Sequence, residues 1–445
     1  MRLFDMINLS KSSSKITFEK AFLYYIFIFF NFLITFRVLL VSILNAVELI
    51  LEMVYIGAIF LYLGYRISKR ILTRNYTLNP FELLLCALFM LPFLAGLASY
   101  LEWGQPLLYG IGTFRDFYLI IGALIVYNML RNKEVEIDLV EKAMVSVAWF
   151  NLVMFYGMTF LVDASQFKDT GVAGANDLKG GEVYYRFNMS FMFFGTIYYT
   201  VKAFIKRKPW LLIYALLFLI YIVFFRLDRT TIAVTFGAIG AFFLFRMTLK
   251  AKVLALLQYG IPVVLVFIFS LMFFPDEYQR YYVMFSDVFT TVSSVDNTTS
   301  EQSIRLTELN TALKYIAKNP WIGNGKVSGQ WIEGGFNHFL GFFYVSDIGI
   351  AGQVFVYGFL GTLVLYSQFI FALFFSLRIG PLKKDVFLIT CQCFLLALFV
   401  DSISNGYITI YAAHSVTAIM VIYYMYEKDK IFRVQERVQS STTAS

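Results

Sequence analysis

Apolar stretches about as long as a bilayer is thick recur along nearly the whole chain, separated by short polar segments and, once, by a long one. A membrane helix needs about 20 mostly apolar residues. Such runs lie near 21–44, 47–65, 81–100, 107–130, 139–161, 186–204, 209–225, 230–246, 253–273, 348–376, 386–402 and 407–425. Lipid offers no water to backbone N–H and C=O groups, so spans of this kind are helical. The pattern predicts an all-α polytopic membrane protein, residues 1–445 forming one integral domain with about 12 transmembrane helices.

The long interruption is the segment 275–347, far longer than an ordinary connection, and long ordered loops usually carry function. Thr299-Ser300-Glu301-Gln302 offers a capping box, and Ile304, Leu309, Ala312, Leu313 and Ile316 follow at helical spacing. That predicts an amphipathic helix lying at the membrane interface and ending at Asn319-Pro320. Glycines at 323, 325, 329, 334 and 335 then lead the chain back towards the membrane. A second polar segment, 163–185, has glycines at 171, 174, 180 and 181 and reads as a flexible lip. At the other end, 427–445 reads as a polar tail, with Gln439 to Ser445 expected to be disordered.

Charge gives these spans a direction. Basic residues collect in alternate segments: Arg2 to Lys20, Arg66 to Arg74, Arg131 to Lys142, Lys202 to Lys208, Arg246 to Lys252, Arg378 to Lys384 and Lys428 to Arg437. By the positive-inside rule these are cytoplasmic, as are both termini, and the long loop faces outward. The net charge of +8 therefore sits at membrane edges and does not indicate nucleic-acid binding. No small-residue cleavage pattern follows the first span, so no cleaved signal peptide is expected. Hydrophobic residues at 59% and charged ones at 15% agree with a membrane domain, soluble domains carrying roughly a quarter charged residues. Cys86, Cys391 and Cys393 fall inside apolar runs, lack a zinc-ligand spacing, and read as buried thiols acting as small apolar residues.

With the inner charges set aside, most remaining basic residues lie on the outer side, where positive charge is normally depleted. Anionic phosphate groups are the natural reason for keeping them there. In Arg226-Leu227-Asp228-Arg229, at a hairpin between spans, two guanidinium groups three residues apart would share a face of a helix and grip a diphosphate. Headgroup anchoring or pairing with Asp228 is the competing role. Arg186, opening its span, has the same two readings, whereas Arg115 beside Asp116 reads as a structural ion pair. His338, next to Asn337, suits proton transfer near neutral pH, such as activation of a sugar hydroxyl. A hydrogen-bonding surface histidine is the plainer alternative. His414, inside the last span, reads as a satisfied buried polar residue. Gly325-Lys326 is not a phosphate-binding loop: Pro320 and Val327 stand where glycine and Ser or Thr are needed. No Asp-x-Asp pair or calcium-loop spacing occurs among the outer acids, so no metal and no cofactor are expected.

The order Arg305, then Asn319-Pro320-Trp321-Ile322-Gly323-Asn324-Gly325, then His338, then Asp347-Ile348-Gly349-Ile350-Ala351-Gly352 resembles the O-antigen ligase and O-antigen polymerase superfamily of bacterial envelope enzymes. Asp228-Arg229-Thr230 resembles the family's Ser-Arg-Thr/Gly turn, with Asp228 in the serine's place. Asn337 precedes the histidine here and Phe339 follows it, where the family usually has asparagine after it. The resemblance implies a metal-independent glycosyltransferase acting on an undecaprenyl-diphosphate-linked saccharide, with inversion at the anomeric carbon. Arg186, Arg229 and Arg305 would bind and neutralise the departing diphosphate, positive charge being preset where negative charge develops. His338 would activate or position the acceptor hydroxyl, with Asn337 beside it among the substrate-binding residues, and Asp228 and Asp347 would orient the arginines or bind sugar hydroxyls. It also implies the bacterial inner membrane, a periplasmic active site, and chain-length regulator and flippase proteins as partners beside the lipid bilayer.

Two roles within that chemistry stay open: a repeat-unit polymerase, towards which Asp347-Ile348-Gly349 and Tyr357-Gly358 lean, and a ligase moving the glycan onto lipid A core or a protein. A transporter of polysaccharide or lipid-linked sugar would need paired broken helices or charges spread through the spans, and no internal repeat is seen. A structural or receptor protein would leave the arginines and the histidine replaceable.

Overall fold

The computed structural model describes residues 54, 57, 60–65, 67–72, 78–161, 173–175, 183–185, 187, 189–226, 229–246, 252, 300–380, 384–409 and 411–443. The expected spans at 21–44 and 253–273 and most of 47–65 lie outside these residues, as does all of 275–299. Within them the chain is helical almost throughout. Pro80–Trp103, Ile137–Leu161, Val345–Arg378 and Val386–Asn405 are long and apolar enough to cross a membrane. Pro80–Trp103, at roughly 1.5 Å per residue, is about 36 Å long, enough for a hydrocarbon core of about 30 Å.

Local signals set the ends of these helices. Pro80 fills the first position, where a missing N–H is harmless, and Asn79 with Glu82 forms a reciprocal capping box. Gly104, at φ 72°, closes the same helix in the left-handed conformation. Asp385 caps Val386–Asn405 by accepting from the Leu388 amide at 2.9 Å, and Gly406 closes it.

The helix Ala412–Thr443 is the hub. From Ala412 to Val421 every residue is buried, and it packs on Ile120–Arg131, on Gly349–Arg378 and on Val386–Asn405. Polar groups inside this hub are paired: His414 Nδ1 lies 2.6 Å from Ser190 Oγ, and Ser415 Oγ donates to Gln368 Oε1 at 2.8 Å. His414 is thus the satisfied buried residue expected. At one end of the bundle Tyr127 donates to Glu427, Arg70 pairs with Glu82, and Arg433 pairs with Asp429. The long loop closes the opposite end of Pro80–Trp103, around Trp103 and Gln105.

Five expectations need correction. The run 107–130 is not one helix: Leu107–Gly112 turns back on Pro80–Trp103, a 3-10 turn follows at Arg115–Leu119, and Ile120–Arg131 is separate. Glycine permits the fold-back, since a Cβ on Gly110 would lie 2.9 Å from the Gly96 Cα. The run 348–376 is broken at Gly358, where φ 65° and ψ −178° leave the helical region. The tail is helical to Thr443, because 427–443 is rich in helix-forming Glu, Lys, Arg and Gln and lacks Gly and Pro. Within 163–185, Ala173–Ala175 and Val183–Tyr185 pair as antiparallel strands, so part of the supposed lip is an ordered hairpin. Cys391 and Cys393 are buried, but Cys86 is on the outward face of its helix.

Candidate functional site

The loop helix runs from Ser300 to Lys318, as the capping box and Asn319-Pro320 foretold, and packs on Gly349–Arg378. Its buried stripe differs from the apolar one expected: Glu308, Ala312 and Ile316, at four-residue spacing, are buried, while Leu306 and Leu313 are exposed. The helix therefore rests on protein along a line that begins with a carboxylate. Arg305, one turn earlier, is exposed.

After the helix, residues 319–328 are stitched to the spans by their backbone. The break at Gly358 removes helical partners near Phe355, Val356 and Phe359, and the loop supplies replacements. Asn324 N donates to the Phe355 carbonyl at 2.8 Å and Gly325 N to the Val356 carbonyl at 3.0 Å, while Phe359 N donates to the Pro320 carbonyl at 2.8 Å. The Asn324 side chain also donates to Phe355 O at 3.1 Å and accepts from Asn319 Nδ2 at 2.8 Å. Left unmade, each such buried bond costs about 1–3 kcal/mol. Trp103 Nε1 donates to Asn324 O, the Lys326 amide donates to Ser99 Oγ, and Gln105 holds both Lys326 O and Ser328 N.

The approach leaves no room for side chains at two glycines. A Cβ on Gly323 would lie 2.4 Å from Gly358 N, and one on Gly358 would lie 2.3 Å from the Trp321 carbonyl carbon. The glycine-rich motif is thus a splint for a broken helix. The amides of Asn324, Gly325 and Lys326 are engaged within the protein, which supports the refusal of a phosphate-loop role. A shallow groove of about 270 Å³ beside the splint is lined by Ala98, Leu101, Glu102 and 318–323, and holds none of the candidate catalytic residues.

The second half of the loop is built on aromatic packing. Phe336, Phe343 and Phe355 are buried against one another, with ring centroids 5.0–5.7 Å apart, and Trp103 packs on Phe336 at 5.8 Å. Phe336 anchors the short helix Phe336–Leu340, which presents His338 on its exposed side. The imidazole makes no hydrogen bond among the described residues and lies edge-on to the Phe339 ring at 5.0 Å. Asn337 points back into the loop, where its Oδ1 accepts from the Phe343 amide at 2.9 Å.

A 3-10 turn, Val345–Ile348, then brings Asp347 round to the loop helix. Asp347 accepts from Ser346 Oγ at 3.1 Å and is half-buried. Glu308, on the loop helix three residues after Arg305, is 1% exposed, and its Oε1 accepts from the Tyr344 amide at 2.9 Å. Its Oε2 is buried with no hydrogen-bond partner among the described residues. Burial holds the Glu308 carboxyl above the usual carboxylate range; the Tyr344 N–H opposes this, Asp347 adds to it, and Arg305 opposes it.

The structure therefore gathers Arg305 and Asp347 around Glu308 and sets His338 on a separate exposed helix of the same loop. Arg186 and Asp228 lie outside the described residues, as do the side chains of Arg115, Asp116, Arg226 and Arg229. The backbone shows a π-helical turn at Tyr221–Arg226, after which Arg229 opens the next helix. Arg226 thus ends one helical segment and Arg229 begins another. Single π turns of this kind are frequent at functional sites. Glu308 was missed in the sequence, although a charged residue in helical register with Ala312 and Ile316 was a visible signal.

No curated protein matches the chain. Residues 214–365, roughly a third of its length, match the O-antigen ligase family. That segment begins in the helix before Arg226 and ends past the break at Gly358, taking in Arg305, His338 and Asp347. Residues 214–365 thus carry an O-antigen ligase family domain, which supports membership of the O-antigen ligase and polymerase superfamily.

Proposed function

We propose that this protein is a membrane glycosyltransferase that polymerises undecaprenyl-diphosphate-linked oligosaccharide repeat units into O-antigen or a related surface polysaccharide. The reaction takes place at the periplasmic face of the inner membrane, without a metal, and inverts the anomeric centre. The observation that carries this reading is the guanidinium of Arg305, exposed and in no ion pair among the described residues, on a loop helix held to the bundle. Arg305, with Arg229 and Arg186, neutralises the diphosphate as it leaves, and Arg226 and Asp228 help to bind the substrate. Such preset charge is usually the largest contribution to catalysis of this kind. His338 takes the proton from the attacking sugar hydroxyl, and Asn337, whose Oδ1 holds the Phe343 amide, contributes to substrate binding beside it. Asp347 orients Arg305 or binds a sugar hydroxyl.

The test uses the purified protein in lipid with undecaprenyl-diphosphate oligosaccharide as sole substrate. A ladder of longer lipid-linked glycans, lost in His338→Ala while the fold persists, is the expected result. The family description favours a second reading, an O-antigen ligase transferring the glycan to lipid A core. Absence of a ladder, with product appearing once lipid A core is added, would establish the ligase instead. Transport of lipid-linked sugar without chemistry would leave both assays blank.

A further inference from the structure

A carboxylate buried at 1% exposure with one oxygen unpartnered among the described residues is a group the fold keeps at a cost, and here Arg305 and Asp347 both act on it electrostatically. Oε1 is committed: it takes the Tyr344 amide at 2.9 Å and so fastens the corner that leads into the Val345–Ile348 turn. Oε2 has nothing. Its surroundings carry one positive charge, Arg305 on the same helix, and one negative charge, Asp347 on the turn packed against it; among the described residues no other charged group acts on it.

Arg305 has no ion pair among the described residues, so its charge is available both to Glu308 and to an anion from outside. A diphosphate bound at Arg305 would cancel the one charge that favours the ionised form of Glu308. What remains is burial and the like charge of Asp347, which favour a proton on the carboxyl, against the Tyr344 N–H alone, which is present with the site empty or filled. Oε2 is the free position for it.

We propose that Glu308 is a proton-coupled positioning residue for Arg305. With the site empty, its carboxylate is the electrostatic partner of the guanidinium. When a lipid diphosphate occupies Arg305, Glu308 takes a proton from water onto Oε2, while Oε1 keeps Tyr344, and with it Asp347, in place. Release of the diphosphate returns the proton to water. The inference rests on the proposed diphosphate site, and it adds that donor binding and proton uptake are one event.

The sign follows from linkage. Binding that takes up a proton tightens as pH falls. Above the ordinary carboxylate range, the Kd for a diphosphate should therefore weaken by up to about tenfold per pH unit as pH rises, until the bound-state carboxyl itself ionises. Titration calorimetry of the full chain in lipid nanodiscs, with farnesyl diphosphate as the probe and two buffers of different ionisation enthalpy, counts the protons. The unmutated protein should take up more protons per probe than Glu308→Gln. The amide variant should still bind, since its oxygen can accept from Tyr344, but with a flatter pH dependence. Equal proton counts in the two proteins would overturn the inference while leaving the diphosphate site standing. Farnesyl diphosphate failing to bind the folded unmutated protein would overturn the diphosphate reading itself. Should Glu308→Gln not fold, an infrared difference spectrum of the unmutated protein decides: the probe should induce a protonated-carboxyl band, and its absence overturns the proposal.

Discussion

Two halves of one loop solve opposite problems. In 319–328 the main chain is spent on the protein: Asn324, Gly325 and Lys326 give their amides to Phe355, Val356 and Ser99, and Pro320 gives its carbonyl to Phe359. In 337–347 and in Arg305, aromatic rings and backbone carry the structure, while the imidazole of His338 and the guanidinium of Arg305 stay exposed. The first half contains the conspicuous motif and holds the second half in place. A glycine-rich stretch beside a lysine suggests ligand binding by composition, yet here the ligand of its amides is a broken helix. Chemistry sits where the side chains have been left unspent.

The comparison breaks first if the splint tolerates a side chain. Gly323→Ala places a methyl 2.4 Å from Gly358 N and 2.5 Å from Val356 O, both backbone atoms, at a φ of 79°. The expected loss exceeds about 4 kcal/mol, and the variant should fail to accumulate as folded, monodisperse protein. Normal yield and melting temperature would mean that the loop is not seated on the break.

Next in size is an effect on rate with none on folding. Arg305→Ala should slow glycan transfer by about 10²–10³-fold, the range for removing one preset charge from a transition state. Because Arg305 is exposed and in no ion pair among the described residues, and Glu308 can take a proton once its charge is gone, the melting temperature should stay within a degree or two. A parallel fall in stability and rate would place Arg305 with the splint and erase the division between the halves.

Asn324→Ala should do the reverse. The residue is fully buried and its side chain bridges Asn319 and Phe355. Its loss should cost about 2–3 kcal/mol. Any activity change should follow the folded fraction, as measured by initial rates per folded molecule across a denaturant series.

Much of this frame was legible from residue spacing. The loop helix came from Ser300 and Asn319-Pro320, because capping and proline effects are local and act within a turn or two. The burial of His414 followed from its neighbours in an apolar run. What escaped depends on contacts distant in sequence. Hydropathy sees 348–376 as one apolar run, and only the approach of 320–325 explains why Gly358 leaves the helix. The fold-back of Leu107–Gly112 likewise needs Gly96 opposite Gly110. Glu308 escaped because the helical pattern was sought among apolar residues, so a carboxylate on the packed face was passed over.

The smallest effect is the most discriminating about what secures the splint. Lys318 pairs with Glu102 at 2.6 Å, with the lysine side chain 63% exposed. Glu102 does not depend on it alone, since Asn319 Nδ2 donates to the other carboxylate oxygen at 2.9 Å. An exposed pair of this kind contributes about 0–1 kcal/mol, screened further by salt, so Lys318→Ala should shift the melting temperature by no more than about 4 °C. Adding salt should bring the unmutated protein and the variant together. Glu102→Ala should cost more, because it also strips Asn319 of an acceptor and so loosens the Asn319–Asn324 bond that supports the Phe355 contact. If Lys318→Ala matched Asn324→Ala in cost, the loop would be held at its rim by charge, and the buried backbone bonds at Gly358 would follow from that attachment.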